Sequence, residues 1–303
     1  MAAVRGLGFS SWVSEDSNFE QLRRNLDEAA GLGVEFVELP IFGMDLIAGG
    51  RVLPGQLKRL KAAINGRGPG YTAHGPIAVN FMQREMLARH FAVAKATIEA
   101  AAEIGAIHLI LHTGQMPAQP EENIEQAYAV QRDAYASLGE IAATHSLLIA
   151  IENIFASESG SHTALPSRLA REIEAIAHPN VRACLDVSHA AILCATMQAD
   201  FLAETKALAR IARHLHIHDS FGDPAHLRTY RRSERVAYGL GDLHLPLGWG
   251  NLPWLDLMTK LDFEPDVIFN LELPVPYWFE LRQSVRSMQE LAAIYSARRS
   301  NIS

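Results

Sequence analysis

Short apolar runs alternate along the chain with longer stretches in which apolar residues return at helical spacing. Gly6–Ser11 predicts a first strand. Phe19–Leu32 predicts a helix from Leu22, Leu26, Ala29 and Ala30, closed by Gly31 and Gly33. A strand at Phe36–Leu39, a helix at Pro54–Asn65 opened by its proline, a strand at Tyr71–Gly75 and an Ala-rich helix at Gln83–Gly105 follow. The alternation continues with strand His108–His112, helix Glu121–His145, strand Leu148–Asn153, helix Leu165–His178, strand Val181–Asp186, helix Ala199–Ala212 and strand His214–Asp219. A long loop runs to about Gly248, before a helix at Trp249–Leu261, a strand at Asp266–Glu272 and a last helix at Tyr277–Arg298. Eight strand–helix units predict an α/β chain folded as a (β/α)8 TIM barrel, a single domain over residues 1–303 with a loop insertion at about 220–248. A doubly wound open sheet would need a glycine-rich phosphate turn after its first strand, and Gly6-Leu7-Gly8 lacks the third glycine and the helix start.

In such a barrel the strand-to-helix loops all open on one face, so the C-terminal ends of the strands carry the chemistry. Those ends read His74, His112, Glu152, Asp186 with His189, the series His214, His216, His218 with Asp219, and Glu272; Asp242 and His244 lie in the long loop. One Asp-x-x-His pair such as Asp186 and His189 is also the ordinary signature of a helix N-cap followed by a surface histidine. Acids and imidazoles at six successive strand ends are harder to explain that way. Buried together they would raise one another's desolvation cost, which a divalent cation removes. Along strand seven, His214, His216 and His218 share a face, but a strand advances roughly 7 Å per two residues, so they cannot all ligate one ion. His216 is the expected ligand, His218 falls nearer the rim, Asp219 orients a neighbour, and His214 lies in the barrel interior.

Composition narrows the partners. A net charge of -7 gives no broad basic face for nucleic acid. Cys184 and Cys194 have no CxxC or framework spacing, as expected of buried thiols in a reducing cytoplasm. Met1 to Ser11 does not read as a signal peptide, and no apolar run reaches the length of a membrane span. The loop cluster Arg228, Arg231, Arg232 and Arg235 reads as a solvated loop or oligomer contact, or as a lid that grips an anion, with Arg228 a candidate substrate contact. Trp12 after strand one and Phe42 and Met44 beyond strand two are candidate pocket walls, Trp12 also a candidate substrate contact; Glu38 at the end of strand two is a candidate substrate contact or a salt-bridge partner; Trp249, Trp254, Tyr277 and Trp278 are expected to pack helices or form an oligomer face.

With these motifs in place, the stretch from about Phe36 to Glu272 resembles the xylose isomerase-like TIM barrels, which include sugar isomerases and epimerases and endonuclease IV, of apurinic endonuclease family 2. In the endonuclease branch the resemblance implies three zinc ions held by nine residues, here His74, His112, Glu152, Asp186, His189, His216, Asp242, His244 and Glu272. In the sugar isomerase branch it implies one ion of manganese, cobalt or zinc on Glu152, Asp186, His216 and Glu272. There Glu152 and Glu272 are the acid/base pair, and His189 touches substrate, with His218 a further candidate. The bulky DNA wedge of the endonucleases is replaced by Ile77-Ala78, and His244-Leu245-Pro246-Leu247-Gly248 has the texture of sugar-phosphate isomerases/epimerases. The expectation is therefore a cytoplasmic, metal-dependent isomerase or epimerase of a small sugar or sugar phosphate, working through an enediolate. It would carry one to three divalent ions, zinc foremost, with nucleic acid disfavoured, no membrane association and room for a homo-oligomer. The alternative is a multinuclear zinc phosphoesterase.

Overall fold

The computed structural model describes residues 3–11, 19–67, 70–156 and 160–301. Eight parallel strands close on themselves: β1 (Val4–Ser10), β2 (Phe36–Pro40), β3 (Gly70–His74), β4 (Ala106–His112), β5 (Leu148–Glu152), β6 (Val181–Asp186), β7 (Ala212–Ile217) and β8 (Val267–Leu271). Each strand pairs with its sequence neighbours, and β8 pairs with β1 to complete the ring. Around it run α1 (Glu20–Ala29), α2 (Pro54–Ile64), α3 (Leu87–Glu103), α4 (Glu121–Thr144), α5 (Pro166–Ile176), α6 (Val187–Met197), α7 (Phe201–Ala209), α8 (Arg232–Tyr238), α9 (Trp254–Lys260) and α10 (Leu281–Ser300). The expected (β/α)8 barrel is the observed fold. Among the described residues no helix is long and apolar enough to cross a membrane.

The strands read as nearly continuous apolar runs because both of their faces are covered. Leu109, Leu111, Ile149, Ile151, Leu185 and Leu215 point outward and belong to the large core shared with the helices. Ile110, Ala150 and Cys184 form a separate small cluster. Two residues further along the same strands, on the same inward face, stand His112, Glu152 and Asp186. The candidate site is thus the next layer up from an apolar floor. Register aligns its members, with His112 opposite Glu152 and Asp186 opposite His216.

Three elements depart from the sequence expectation. The segment after β6 folds at once into α6, so Ala199–Ala212 is not one helix but the second of two. Val187–Met197 is apolar on nearly every side and shows no helical period, which hid it. Gln198 in the left-handed region (φ 53°) ends α6, and the Asp200 side chain caps α7 by accepting from Ala203 N at 3.0 Å. The helix expected from Trp249 begins only at Trp254, after Pro253. The long loop is also not loose. It contains α8, and its far end is fastened back to the barrel: Asp219 and Leu245 exchange both backbone hydrogen bonds at 2.8 Å.

The Asp219 side chain completes that fastening. It accepts from the backbone N–H groups of Gly248 (2.9 Å), Gly250 (3.0 Å), Leu252 (3.3 Å) and Ser220 (3.0 Å). The expectation that it orients a ligand neighbour is therefore replaced: its oxygens are taken by the backbone of the loop. Gly250 is required at this approach, since a side chain there would meet Asp219 and the Ser220 carbonyl. Asp219→Ala should strand several enclosed N–H groups and lower stability by about 2–4 kcal/mol. Urea unfolding reads this directly, and an unchanged midpoint would mean that the loop holds without the carboxylate.

Candidate metal centre

The C-terminal mouth of the barrel opens into a cavity of about 340 Å³ lined by His74, His112, Glu152, His189, Asp242, His244 and Glu272, with Asp186 and His216 fully buried in the same cluster of charged side chains. His216 Nδ1 is the centre of convergence. It lies 3.2 Å from Glu152 Oε1, 3.4 Å from Glu272 Oε2 and 4.0 Å from Asp186 Oδ2. On one side His74 Nε2 and His112 Nε2 reach Glu152 Oε2 at 3.2 and 3.3 Å. On the other, His189 Nε2 and His244 Nε2 reach Asp242 Oδ2 at 3.3 and 2.8 Å. The nine residues named from the sequence therefore meet at one rim. They include two clusters whose donor atoms lie within 4.8 Å of one another, His74–His112–Glu152 and His189–Asp242–His244.

Local structure explains the delivery of each group. Asp186 closes β6 and caps α6, its Oδ1 accepting from His189 N at 2.7 Å, so the Asp-x-x-His pair is both an N-cap and a part of the site. The Asn153 amide ties the ends of β5 and β6 together, donating to Asp186 O and accepting from Asp186 N, both at 2.9 Å. Ser188 Oγ lies 3.3 Å from Asp242 Oδ1 and 2.7 Å from Ser220 Oγ. His244 adopts φ 46°, rare for a residue with a Cβ, next to the Asp219–Leu245 pairing that pins it.

The other nitrogen of several rings is already engaged. His74 Nδ1 faces the Gly75 carbonyl at 2.9 Å, His189 Nδ1 the Asn153 carbonyl at 3.1 Å and His244 Nδ1 the Glu272 carbonyl at 3.2 Å. A carbonyl only accepts, so each Nδ1 carries a proton and each Nε2 is turned toward the acids. This is the outer arrangement that metal-ligating histidines adopt.

Charge follows from the same geometry. Burial pushes the Glu152 carboxyl up, but His216 and His112 outweigh it and hold it well below the usual range. Asp242, also pushed up by burial, is held well below by His244 and His189. The histidines answer in the opposite sense. Burial opposes the charged ring, yet Asp186 and Asp242 raise His189 well above its ordinary value, Glu272, Glu152 and Glu38 do so for His216, and Asp242 brings His244 to about 9. Imidazolium protons thus stand between the carboxylates where a divalent cation would stand. Imidazole nitrogen with carboxylate oxygen, converging in buried clusters, suits zinc, manganese or cobalt.

The remaining candidates fall as follows. Glu38 lines the cavity, as a candidate substrate contact would, and reaches His214 and His216 in the barrel interior; burial pushes its carboxyl up, but His216 and His214 hold it well below its usual range. His218 is not at the rim. It is buried beneath His244, rings stacked at 3.9 Å, with Nε2 3.0 Å from Asp186 Oδ2, and it forms a further metal-capable group with His244 and Glu272. Arg228 lies against the exposed Tyr230 ring, and Arg232 donates to Leu243 O at 2.6 Å; neither lines the cavity. Trp12 falls outside the described residues. Phe42 lines the cavity, edge-on to His74, whereas Met44 is core. Phe155, edge-on to His189, had no sequence signal beyond following strand five. Trp254 packs in the core and Trp278 against Phe9, as expected of packing residues, while Trp249, Tyr277 and Phe279 form an exposed aromatic group.

No curated protein matches the chain in sequence. Several solved structures share its fold. A D-tagatose 3-epimerase-like protein superposes with a TM-score of 0.71 at 18% identity, covering 97% of this chain and 99% of its own. L-ribulose 3-epimerase gives a TM-score of 0.67 at 16% identity, with 100% and 98% covered. A Thermus thermophilus protein soaked with ZnCl2 gives 0.64 at 21% identity, with 95% and 98% covered. The family model described as xylose isomerase-like TIM barrel matches residues 26–294, and the chain belongs to that family.

Proposed function

We propose that this protein is a divalent-metal-dependent isomerase or epimerase of a small, uncharged carbohydrate. The carrying observation is that Glu152 and Glu272 both line the cavity and both reach the same His216 nitrogen, at 3.2 and 3.4 Å. Two carboxylates so placed can work as a proton-removing and a proton-returning group on one substrate carbon. Glu152, Asp186, His216 and Glu272 would hold the cation, zinc first. When bound, it supplies a positive charge that polarises a substrate carbonyl and acidifies the adjacent C–H. One glutamate takes the proton from that carbon and the other delivers a proton to the enediolate from elsewhere. His189 lies at the cavity wall within reach of substrate hydroxyls, and Phe42 and Phe155 exclude water from the mouth.

Two observations favour an uncharged substrate. No Lys or Arg is among the described residues lining the cavity, and residues 12–18 and 157–159 contain neither type in sequence. Barrels often bind phosphate on backbone N–H groups of the loops after strands seven and eight. Here those of Gly248, Gly250 and Leu252 are already taken by Asp219. The second reading, a multinuclear zinc phosphoesterase, is favoured by the two outer triads, which a single-ion isomerase does not need.

The reaction class is tested by proton magnetic resonance in deuterated water with a panel of free ketoses and ketose phosphates. A free ketose should exchange one carbon-bound proton, phosphate esters should be poor, and Glu152→Gln or Glu272→Gln should cut exchange at least ~1000-fold with the fold retained. Close to three zinc ions per chain, cleavage of a generic phosphodiester and no exchange would establish the hydrolase instead.

Metal binding must also displace protons. Despite its burial, His216, the one histidine of the proposed ligand set, is held well above its ordinary value by the surrounding acids, so its metal-free ring must give up a proton to ligate. Apparent zinc affinity should therefore climb as pH rises from about 6 through neutrality, because the displaced proton becomes easier to release. Calorimetry in buffers of different ionisation enthalpy should register roughly one proton released per ring displaced. A pH-independent affinity across that range would contradict the charge state assigned to the site.

A further inference from the structure

His74, His189 and His244 each rest their rear nitrogen on a backbone carbonyl, which is available because all three stand at or beyond a strand end. His216 has no such carbonyl. It lies within β7, where its neighbours' carbonyls belong to the ladders with β6 and β8. Its Nε2 is buried without an aligned acceptor, and the acid within reach is Glu38, Oε1 at 3.4 Å.

Glu38 is itself held from several sides. Ser10 Oγ donates to Oε1 at 3.0 Å, Thr72 Oγ1 donates to Oε2 at 3.4 Å, and His214 Nε2 lies 3.2 Å from Oε2. Ser10 and Thr72 are its register partners on β1 and β3, so the clamp is built into the sheet. His214 Nδ1 is in turn 3.3 Å from His108 Nδ1. A carboxylate only accepts, so a ring nitrogen turned to Glu38 suits it as N–H, although neither His214 Nε2 nor His216 Nε2 makes an aligned hydrogen bond. His214 Nδ1 is then left to accept from His108, and His216 Nδ1 is left with its lone pair toward Glu152, Asp186 and Glu272 once its own proton leaves.

We propose that Glu38 is a positioning residue of the metal centre: it fixes the tautomer and ring angle of His216, and Ser10 and Thr72 hold it in place. This rests on the metal reading given above. Glu38 does for the buried histidine what main-chain carbonyls do for the histidines at the rim.

The test uses the full chain stripped of metal, with zinc affinity read by competition against a chromophoric chelator and the site geometry by the visible absorption of bound cobalt. Glu38→Gln keeps the volume and removes the charge. It should weaken zinc binding about 10- to 100-fold and alter the cobalt spectrum, while the unfolding midpoint of the metal-free chain stays near that of the wild type. Wild-type zinc affinity in Glu38→Gln, with or without a lower midpoint, would overturn the proposal by leaving only a packing role. So would the loss of one bound zinc with the other sites unchanged, since Glu38 would then be a ligand. Should Glu38→Gln fail to fold, Ser10→Ala decides: loosening one side of the carboxylate should cost about three- to fivefold in zinc affinity, and no change would again overturn the proposal. A wild-type chain that binds no zinc would instead remove the metal reading itself, a result distinct from both.

Discussion

Carboxylates of like charge cannot be collected in a dry barrel unless positive charge stands between them. Glu152, Asp186, Glu272 and Asp242 are gathered at one rim, and each has an imidazole nitrogen within 4.0 Å. Isolated in a low-dielectric interior, these acids would take up protons and cease to be ligands. Despite their burial, neighbouring histidines hold Glu152, Asp186 and Asp242 below the usual carboxylate range, and the acids in turn raise His189, His216 and His244. The same acids thereby hold the histidines in a form that must shed a proton before it can bind a cation. The site is an internal salt, and a divalent ion would enter it by exchange for protons.

That balance depends on geometry that the barrel supplies cheaply and the loops do not. Strand register alone sets His112 beside Glu152 and Asp186 beside His216. Asp242 and His244 come from a long excursion after β7, and a free loop of that length would deliver them to no fixed place. Asp219 removes the freedom. Its main chain pairs with Leu245 and its carboxylate fills with the N–H groups of the following turn, so the excursion returns to the strand end that also carries His216. The left-handed backbone of His244 is tolerable because this anchor lies one residue away.

Much of this was legible in the sequence because it is periodic. The strand–helix alternation set the barrel, and the residues at strand ends set the rim, since a parallel barrel places those ends together whatever the loops do. What escaped notice lacks period. α6 is apolar all round and shows no amphipathic spacing, so the N-cap and metal-site readings of Asp186 stand as alternatives in the sequence, whereas the structure has both at once. Alternation along strand seven places His218 on the same face as His216, but its depth beneath His244 depends on the loop that brings His244 back, which has no period. The link from Glu38 to His214 crosses the barrel between strands far apart in sequence, and only the closed ring brings them together. Arg228 shows the reverse limit: a charge run in a loop carries no direction, and its guanidinium rests on Tyr230.

The ligand set does not by itself choose between carbon chemistry and phosphate chemistry, because a cation polarises a carbonyl and a phosphoryl oxygen by the same charge. The rest of the cavity must decide. A phosphodiester brings charge that must be met beyond the metal, usually by Lys, Arg or free backbone N–H groups. This cavity offers apolar Phe42, Ile77, Ala78 and Phe155 with the amides of Asn80, Gln83 and Gln115, and the backbone donors of Gly248 and Gly250 in the loop after β7 are committed to Asp219. Amides and aromatic edges suit a molecule made of hydroxyls and C–H faces. A neutral polyol needs no counter-charge there, only shape and a few donors and acceptors, which is the surface that surrounds the metal centre.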